Sequence, residues 1–231
     1  MPDKQNAIIV DFATLKDYTR NFRNEGKKIF TSSSFQTHSI PLLHMLSRID
    51  KTIPVVFLNT GFHFPETIRF RDRIVDQFNL ELIDLKPDTP KIMQLGVDGK
   101  LLFTSDPDRC CYLNKTLPME RIMLSYDVWV NGVRADQNEN RKQMRVIQES
   151  SYNTLRYHPM LEWTSRDVYQ YMADHHLPAH PLEKKGYLSI GCEPCTRKFV
   201  DGGNERNARW FGMNKTECGL HTDLANPKTK K

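Results

Sequence analysis

Lys28-Ile-Phe-Thr-Ser-Ser-Ser-Phe-Gln-Thr-His-Ser39 is the stretch on which the fold of this chain turns. Lys28 to Ser33 is apolar enough for a buried strand and runs into a polar, hydroxyl-rich turn. From Ser39 to Ile49 the apolar residues Ile40, Leu43, Leu46 and Ile49 recur at helical spacing. Strand, turn and helix in that order open a βαβ unit. Outward from it, Ile53 to Leu58 reads as a second strand ended by Asn59-Thr-Gly61. Pro65 stands where a first-turn proline belongs and opens a helix through about Phe78. Leu80 to Leu85 is a third strand, and Tyr126 to Val130 and Leu155 to His158 are a fourth and a fifth. Ile8 to Arg20 is expected as an opening helix, and Thr164 or Ser165 as the cap of a helix running through Tyr171. Strands alternating with helices predict an α/β fold, a doubly wound and mainly parallel sheet. From about Pro178 the periodicity gives way to Gly, Pro, Cys and charge. The expected division is an α/β domain over residues 1–180 and a Cys-rich C-terminal segment over 181–231, in one globular unit.

Composition narrows the classes. The 231 residues are 39% hydrophobic and 10% aromatic, which suits a packed protein. No apolar stretch approaches the length of a membrane span. An acidic residue at position 3 and the lack of a signal-like apolar run lead to a cytoplasmic expectation. There, five cysteines serve metals or catalysis more often than disulfides. The net charge of +5 is uneven: Lys184 to Lys231 holds ten Lys/Arg against five Asp/Glu, and the rest of the chain balances. A basic quarter calls for an anionic partner. Its basic residues lack interleaved aromatics, so no nucleic-acid partner is expected, and no membrane partner.

The turn Thr31 to Ser39 offers hydroxyls and backbone N–H groups to a phosphate or sulfate where ligands bind in open α/β sheets. It lacks the GK[ST] ending of a Walker loop. The cysteines say more. Cys110 and Cys111 are adjacent, and Cys192-Glu-Pro-Cys195 follows about eighty residues later. Four thiolates at this spacing fit an iron–sulfur cluster, while a zinc site normally pairs two C-x-x-C knuckles. Redox disulfides are the third reading. Cys218 is left over, and the basic residues Lys215 and His221 near it favour a reactive thiolate.

Taken together, Cys110-Cys111, Gly191-Cys-Glu-Pro-Cys-Thr-Arg197 and Glu217-Cys-Gly-Leu-His221 resemble the assimilatory sulfonucleotide reductases, specifically the iron–sulfur branch that reduces adenosine 5′-phosphosulfate (APS). Val56-Phe-Leu-Asn-Thr-Gly61, Phe64-Pro-Glu-Thr67, Trp129 to Gln137, His158-Pro-Met-Leu-Glu-Trp163 and Gly186-Tyr-Leu-Ser-Ile190 match as well. The likeness covers roughly residues 28–221.

The resemblance implies the PP-loop, adenine-nucleotide α-hydrolase-like form of the fold. It also implies a 4Fe-4S cluster on Cys110, Cys111, Cys192 and Cys195, with Cys218 as nucleophile. Lys115 would stand between cluster and substrate, Arg206, Arg209 and Arg134 would contact the anion, and His221 would close the motif. Ser32, Ser33 and Ser34 would form the modified loop, with Thr60 and Gly61 near the adenosine. The implied reaction releases AMP, leaves an S-sulfonate on Cys218 and ends with sulfite freed by thioredoxin or glutaredoxin. Relatives form homo-oligomers. Gln36 stands where the family usually has glycine, Asn59 where aspartate is common, and Asn131 and Asn138 where Thr and Ser are frequent. The same reaction on 3′-phosphoadenosine 5′-phosphosulfate (PAPS), a PP-loop ATP pyrophosphatase of tRNA thiolation and a zinc-dependent nucleic-acid module are the alternatives.

Overall fold

Alternate residues of the central strands face opposite sides of one sheet, and both sides are covered. A computed structural model describes residues 11–200, 208–210, 212, 213, 215, 217–222 and 224. Strands β1 (Ile29–Ser32), β2 (Val55–Leu58), β3 (Leu82–Leu85), β4 (Val128–Asn131), β5 (Ile147–Glu149) and β6 (Leu155–Tyr157) form a six-stranded sheet in the order 3-2-1-4-6-5. All pairs are parallel except β5 with β6. The order reverses between β1 and β4, the switch point at which doubly wound folds bind ligands.

On one face, Ile29, Val128, Val130 and Tyr157 pack under helices α1 (Phe12–Asn24), α2 (Ile40–Ile49) and α8 (Ser165–Asp174), while Val55 and Phe57 pack under α3 (Pro65–Phe78). On the other, Phe30, Val56 and Trp129 pack against Met119 and Met123 of α6 (Leu117–Met123). Burial on both faces is why these strands read as continuous apolar runs. Pro65 opens α3 as expected, and Asn79 at φ 51° closes it. Asp11 accepts from the Thr14 N–H to cap α1, and Thr164 caps α8 in a reciprocal box with Asp167.

Three local expectations shift. The opening helix begins at Phe12 and runs to Asn24, and the first residues of the expected span lie outside the described ones. A sixth strand, β5, pairs antiparallel at the edge. The region between β3 and β4 carries the short helices α4 (Leu102–Ser105) and α5 (Pro107–Cys111), a π-helical turn (Tyr112–Thr116) and then α6. Among the described residues no helix is long and apolar enough to cross a membrane.

Candidate active site

The loop after β1 carries the first part of the site. Ser32, Ser33 and Ser34 line a cleft enclosing about 1100 Å³ of space, open solvent included, at the carboxyl ends of β2, β1 and β4. Phe35 closes the serine turn at φ 53°, a left-handed conformation that costs an L-residue about 1–2 kcal/mol. Full burial of its ring and a bond from its N–H to Ser33 Oγ (3.0 Å) hold it there. Ser32 Oγ itself accepts from Trp129 Nε1 at 2.8 Å.

The C-terminal segment forms the opposite wall with Gly191, Arg209, Glu217, Cys218 and His221. Glu217 Oε1 accepts the Cys218 N–H at 2.9 Å. The same carboxylate is gripped by Arg141 and receives the Asn138 amide at 2.8 Å. Asn138 also caps α7 (Glu139–Lys142) by accepting from the Arg141 N–H at 2.9 Å. The tie between the segment and the sheet's far loop is therefore polar and buried. Sequence reading missed Arg141, whose one signal is an Asn cap three residues ahead of it.

Cys218 is buried, and a hydrogen bond from the Cys111 thiol holds its pKa well below the cysteine range. Burial opposes this, while the Lys115 ammonium and the Leu220 N–H support it. Cys111 is raised in consequence. Burial pulls Lys115 down too, but attraction to the nearby sulfurs of Cys192, Cys218 and Cys111 outweighs it and keeps the ammonium charged.

Cys110, Cys111, Cys192 and Cys195 are all free, all buried, and border one small second cavity walled by Phe62, Phe103 and Pro194. Lys115 lines both this cavity and the cleft. The adjacent cysteines end α5, where the π-helical turn begins, and Pro118 in α6 gives no N–H to the ladder behind it. Such turns recur at functional sites. Cys192 Sγ lies 3.3 Å from Thr60 Oγ1, and Cys110 Sγ receives the Asn114 amide at 3.6 Å. Among the described residues, no three Cys, His, Asp or Glu side chains are arranged to hold a single metal ion. A polynuclear cluster takes each thiolate on a separate iron and needs no common point, so the four buried thiols suit it better than one zinc.

The remaining expected residues are spread more widely. Thr60 borders the cysteine cavity rather than the cleft, and Gly61 lines neither. Val56, Phe57 and Leu58 line the cleft in their place. Arg134 is buried and turned away, paired with Asp136 and donating to Ser165 Oγ at 2.9 Å. Arg206 lies outside the described residues. Arg209 lines the cleft, donates from Nε to Cys195 O at 3.1 Å and stacks on Trp210. Gly191 makes room for it, since a Cβ there would overlap the guanidinium. His38 and His63, which the sequence gives no role, also line the cleft, and burial lowers both to about 4. Asn131 lies 3% exposed on the cleft wall with neither amide atom bonded.

Comparison with known proteins places this architecture. The phosphoadenosine phosphosulfate reductase domain model matches residues 28–198. Adenosine 5′-phosphosulfate reductase of Bacillus mycoides (strain KBAB4) is 38% identical over 201 residues, 86% of each chain. Its counterpart in Chelativorans sp. (strain BNC1) is 41% identical over 200 residues, 87% of this chain and 81% of that one. Among solved structures, phosphoadenylyl-sulfate (PAPS) reductase from Candida auris superposes with a TM-score of 0.65 at 21% identity, covering 79% of this chain and 92% of that one. Candida glabrata FMN adenylyltransferase, at TM-score 0.55 and 15% identity, covers 99% and 77%. Both share the fold. With the domain model spanning most of its length and relatives this similar, the chain belongs to the phosphoadenosine phosphosulfate reductase family.

Proposed function

We propose that this protein is a thiol-dependent sulfonucleotide reductase of sulfate assimilation, converting APS to sulfite and AMP through an S-sulfonate on Cys218. Relatives at 38% and 41% identity that bear the name adenosine 5′-phosphosulfate reductase support the substrate. One observation carries the chemistry: Cys218, Lys115 and Arg209 line the same cleft as the Ser32–Ser34 loop.

The Cys218 thiolate attacks the sulfuryl sulfur, an S–S bond forms as the S–O bond to the α-phosphate breaks, and AMP leaves with the electron pair. Lys115 and Arg209 stabilise the charge on the non-bridging and leaving oxygens, and Arg206 is proposed to join them. Guanidinium forks suit tetrahedral oxyanions. A thiolate of a dithiol carrier, thioredoxin or glutaredoxin, then attacks Cys218 Sγ and expels sulfite. The carrier's second thiol resolves the mixed disulfide, so the carrier loses the two electrons that the sulfur gains.

Residues 1–180 would bind the nucleotide and segment 181–231 would bring the nucleophile. Cys110, Cys111, Cys192 and Cys195 would hold one 4Fe-4S cluster, whose bound charge would act on the cleft through Lys115. With Cys111 on iron its hydrogen bond to Cys218 would be lost, and Lys115 and the Leu220 N–H would be the groups left to favour the thiolate against burial. The working form would be a homo-oligomer, which sedimentation tests.

Incubation with radiolabelled-sulfur APS and no reductant should label wild-type protein and leave Cys218→Ser unlabelled; label retained by the variant sinks the scheme. The same anaerobic preparation should contain iron and labile sulfide, and should release sulfite from APS faster than from PAPS.

A further inference from the structure

Arg156 in β6 is fully buried, yet its Nε and Nη1 have no hydrogen-bond partner. A buried cation usually sits against a carboxylate. Here the nearby acid, Glu217, is already bound by Arg141. The hydrogen bond Arg156 does make runs from Nη2 to His221 Nδ1 at 2.7 Å. Its guanidinium lies 4.6 Å from the centroid of Trp129, its cross-strand partner on β4. The Trp129 ring is in turn near-parallel to the His221 ring, at 18° and 6.3 Å. Arginine, tryptophan and histidine thus form a stacked unit behind the wall of the cleft that His221 lines.

The chemistry of this contact has one solution. A guanidinium carries donors only, so the imidazole nitrogen facing it must present a lone pair. Burial and the Arg141 charge lower Arg156 to about 10, with Glu217 opposing, and it stays charged at neutral pH. A proton on Nδ1 would break the bond and set two cations in contact.

We propose that Arg156 is a positioning residue that fixes His221 as the uncharged Nε2–H tautomer, so that the histidine meets the substrate as a hydrogen-bond donor and not as a base. The inference rests on the reductase reading of the cleft and deepens it. With Nδ1 held by the guanidinium and Nε2 protonated, the ring has no lone pair left with which to take a proton from Cys218. What the reaction lacks is a donor that keeps its proton as charge grows on the phosphosulfate oxygens, and an imidazole with Nδ1 occupied supplies it. The charged groups that face His221 or share its cleft wall are Arg156 from β6, Lys115 from the π-helical turn packed against the Gly219–His221 turn, Arg141 from α7, and Arg209, Glu217 and Cys218 from the C-terminal segment. His221 is further anchored by its N–H to Cys218 O (2.9 Å) and by its carbonyl to Asn140 Nδ2 (3.3 Å).

The test is the pH profile of kcat/KM for APS with the cluster-loaded enzyme. Wild type should show no limb from His221. Arg156→Met should lose about tenfold at pH 8 and recover below about pH 6.5, where an imidazolium regains its Nε2–H. Arg156→Lys should keep the wild-type shape. Because Arg156→Met could fold poorly, His221→Gln gives an independent arm: its amide can donate from the Nε2 position, so it should lose less than tenfold where His221→Ala loses about a hundredfold. A uniform loss in Arg156→Met with the wild-type shape would mean packing alone, and a Gln variant as inactive as Ala would mean a base; either overturns the proposal. Nitrogen-15 shifts of labelled His221 at pH 7 report the tautomer without substrate. An inactive enzyme with Nδ1 unprotonated would therefore count against the reductase reading, and a protonated Nδ1 against this one.

Discussion

Arg141 closes a fork on Glu217, with Nε 2.7 Å from Oε2 and Nη2 3.2 Å from Oε1, and both side chains are almost wholly buried. The pair joins α7 to the residue before Cys218, so it fixes where that thiol enters the cleft. Removing one member strands the other charge. Arg141→Met should cost about 3–5 kcal/mol in urea unfolding, and Arg141→Lys less. Reaction of Cys218 with APS should slow in both, since its N–H anchor to Glu217 loosens.

Gly191 should be intolerant of a methyl group for a reason of function and not of folding. The three atoms nearest to a Cβ there all belong to the Arg209 guanidinium, the far end of a long side chain that can be displaced without moving backbone. Gly191→Ala should therefore unfold within about 1 kcal/mol of wild type but lose about ten- to a hundredfold in kcat/KM as Arg209 leaves the cleft. Unchanged kinetics would mean that Arg209 is not an anion contact.

Acid should weaken the fold through buried neutral histidines. His158, whose Nδ1 donates to Arg145 O at 2.8 Å, is lowered to about 3, and His180 to about 4, burial leading in both. Below about pH 6.5 the unfolded chain takes up protons that the folded one refuses. Stability is therefore complete above that pH and is lost on acidification, at up to about 1.4 kcal/mol per pH unit for each histidine. Urea midpoints from pH 7.5 to 4.5 should trace the decline, and His158→Gln should flatten it.

Asn131 separates binding from stability. Its unpaired amide is costly to bury and lines the cleft, as expected of a group completed by ligand. Asn131→Leu should leave stability unchanged or raise it by up to about 1 kcal/mol, while AMP binds about tenfold more weakly in calorimetry. A loss of both would make the amide structural.

Much of this site could be read from the chain, and the omissions have physical reasons. Local periodicity and turn chemistry belong to neighbouring residues, so β1, α2, β2 and α3 emerged close to their observed limits. The cysteine positions carried the thiol-rich end because few roles suit adjacent thiols together with a C-x-x-C, whereas Lys115 came only from the family resemblance. Strand β5 escaped because Ile147-Gln-Glu149 is short and polar and exists only by pairing with β6. Arg134 and Arg141 show the limit most clearly. The two lie seven residues apart in one loop region, and nothing local says that the first turns to Asp136 and Ser165 while the second reaches Glu217 far along the chain.

The bond from Arg209 Nε to Cys195 O, reinforced by the backbone bridge between Arg209 and Thr196, has a consequence for how such a site can diverge. The cation proposed to grip the substrate hangs from the very loop that presents the Cys195 thiol. Drift in that loop, by insertion, deletion or a change of ligand spacing, would drag the guanidinium with it. Descendants of this chain are thus bound to keep or abandon the two features in a single step, which makes the loop an inherited module rather than a collection of separable residues.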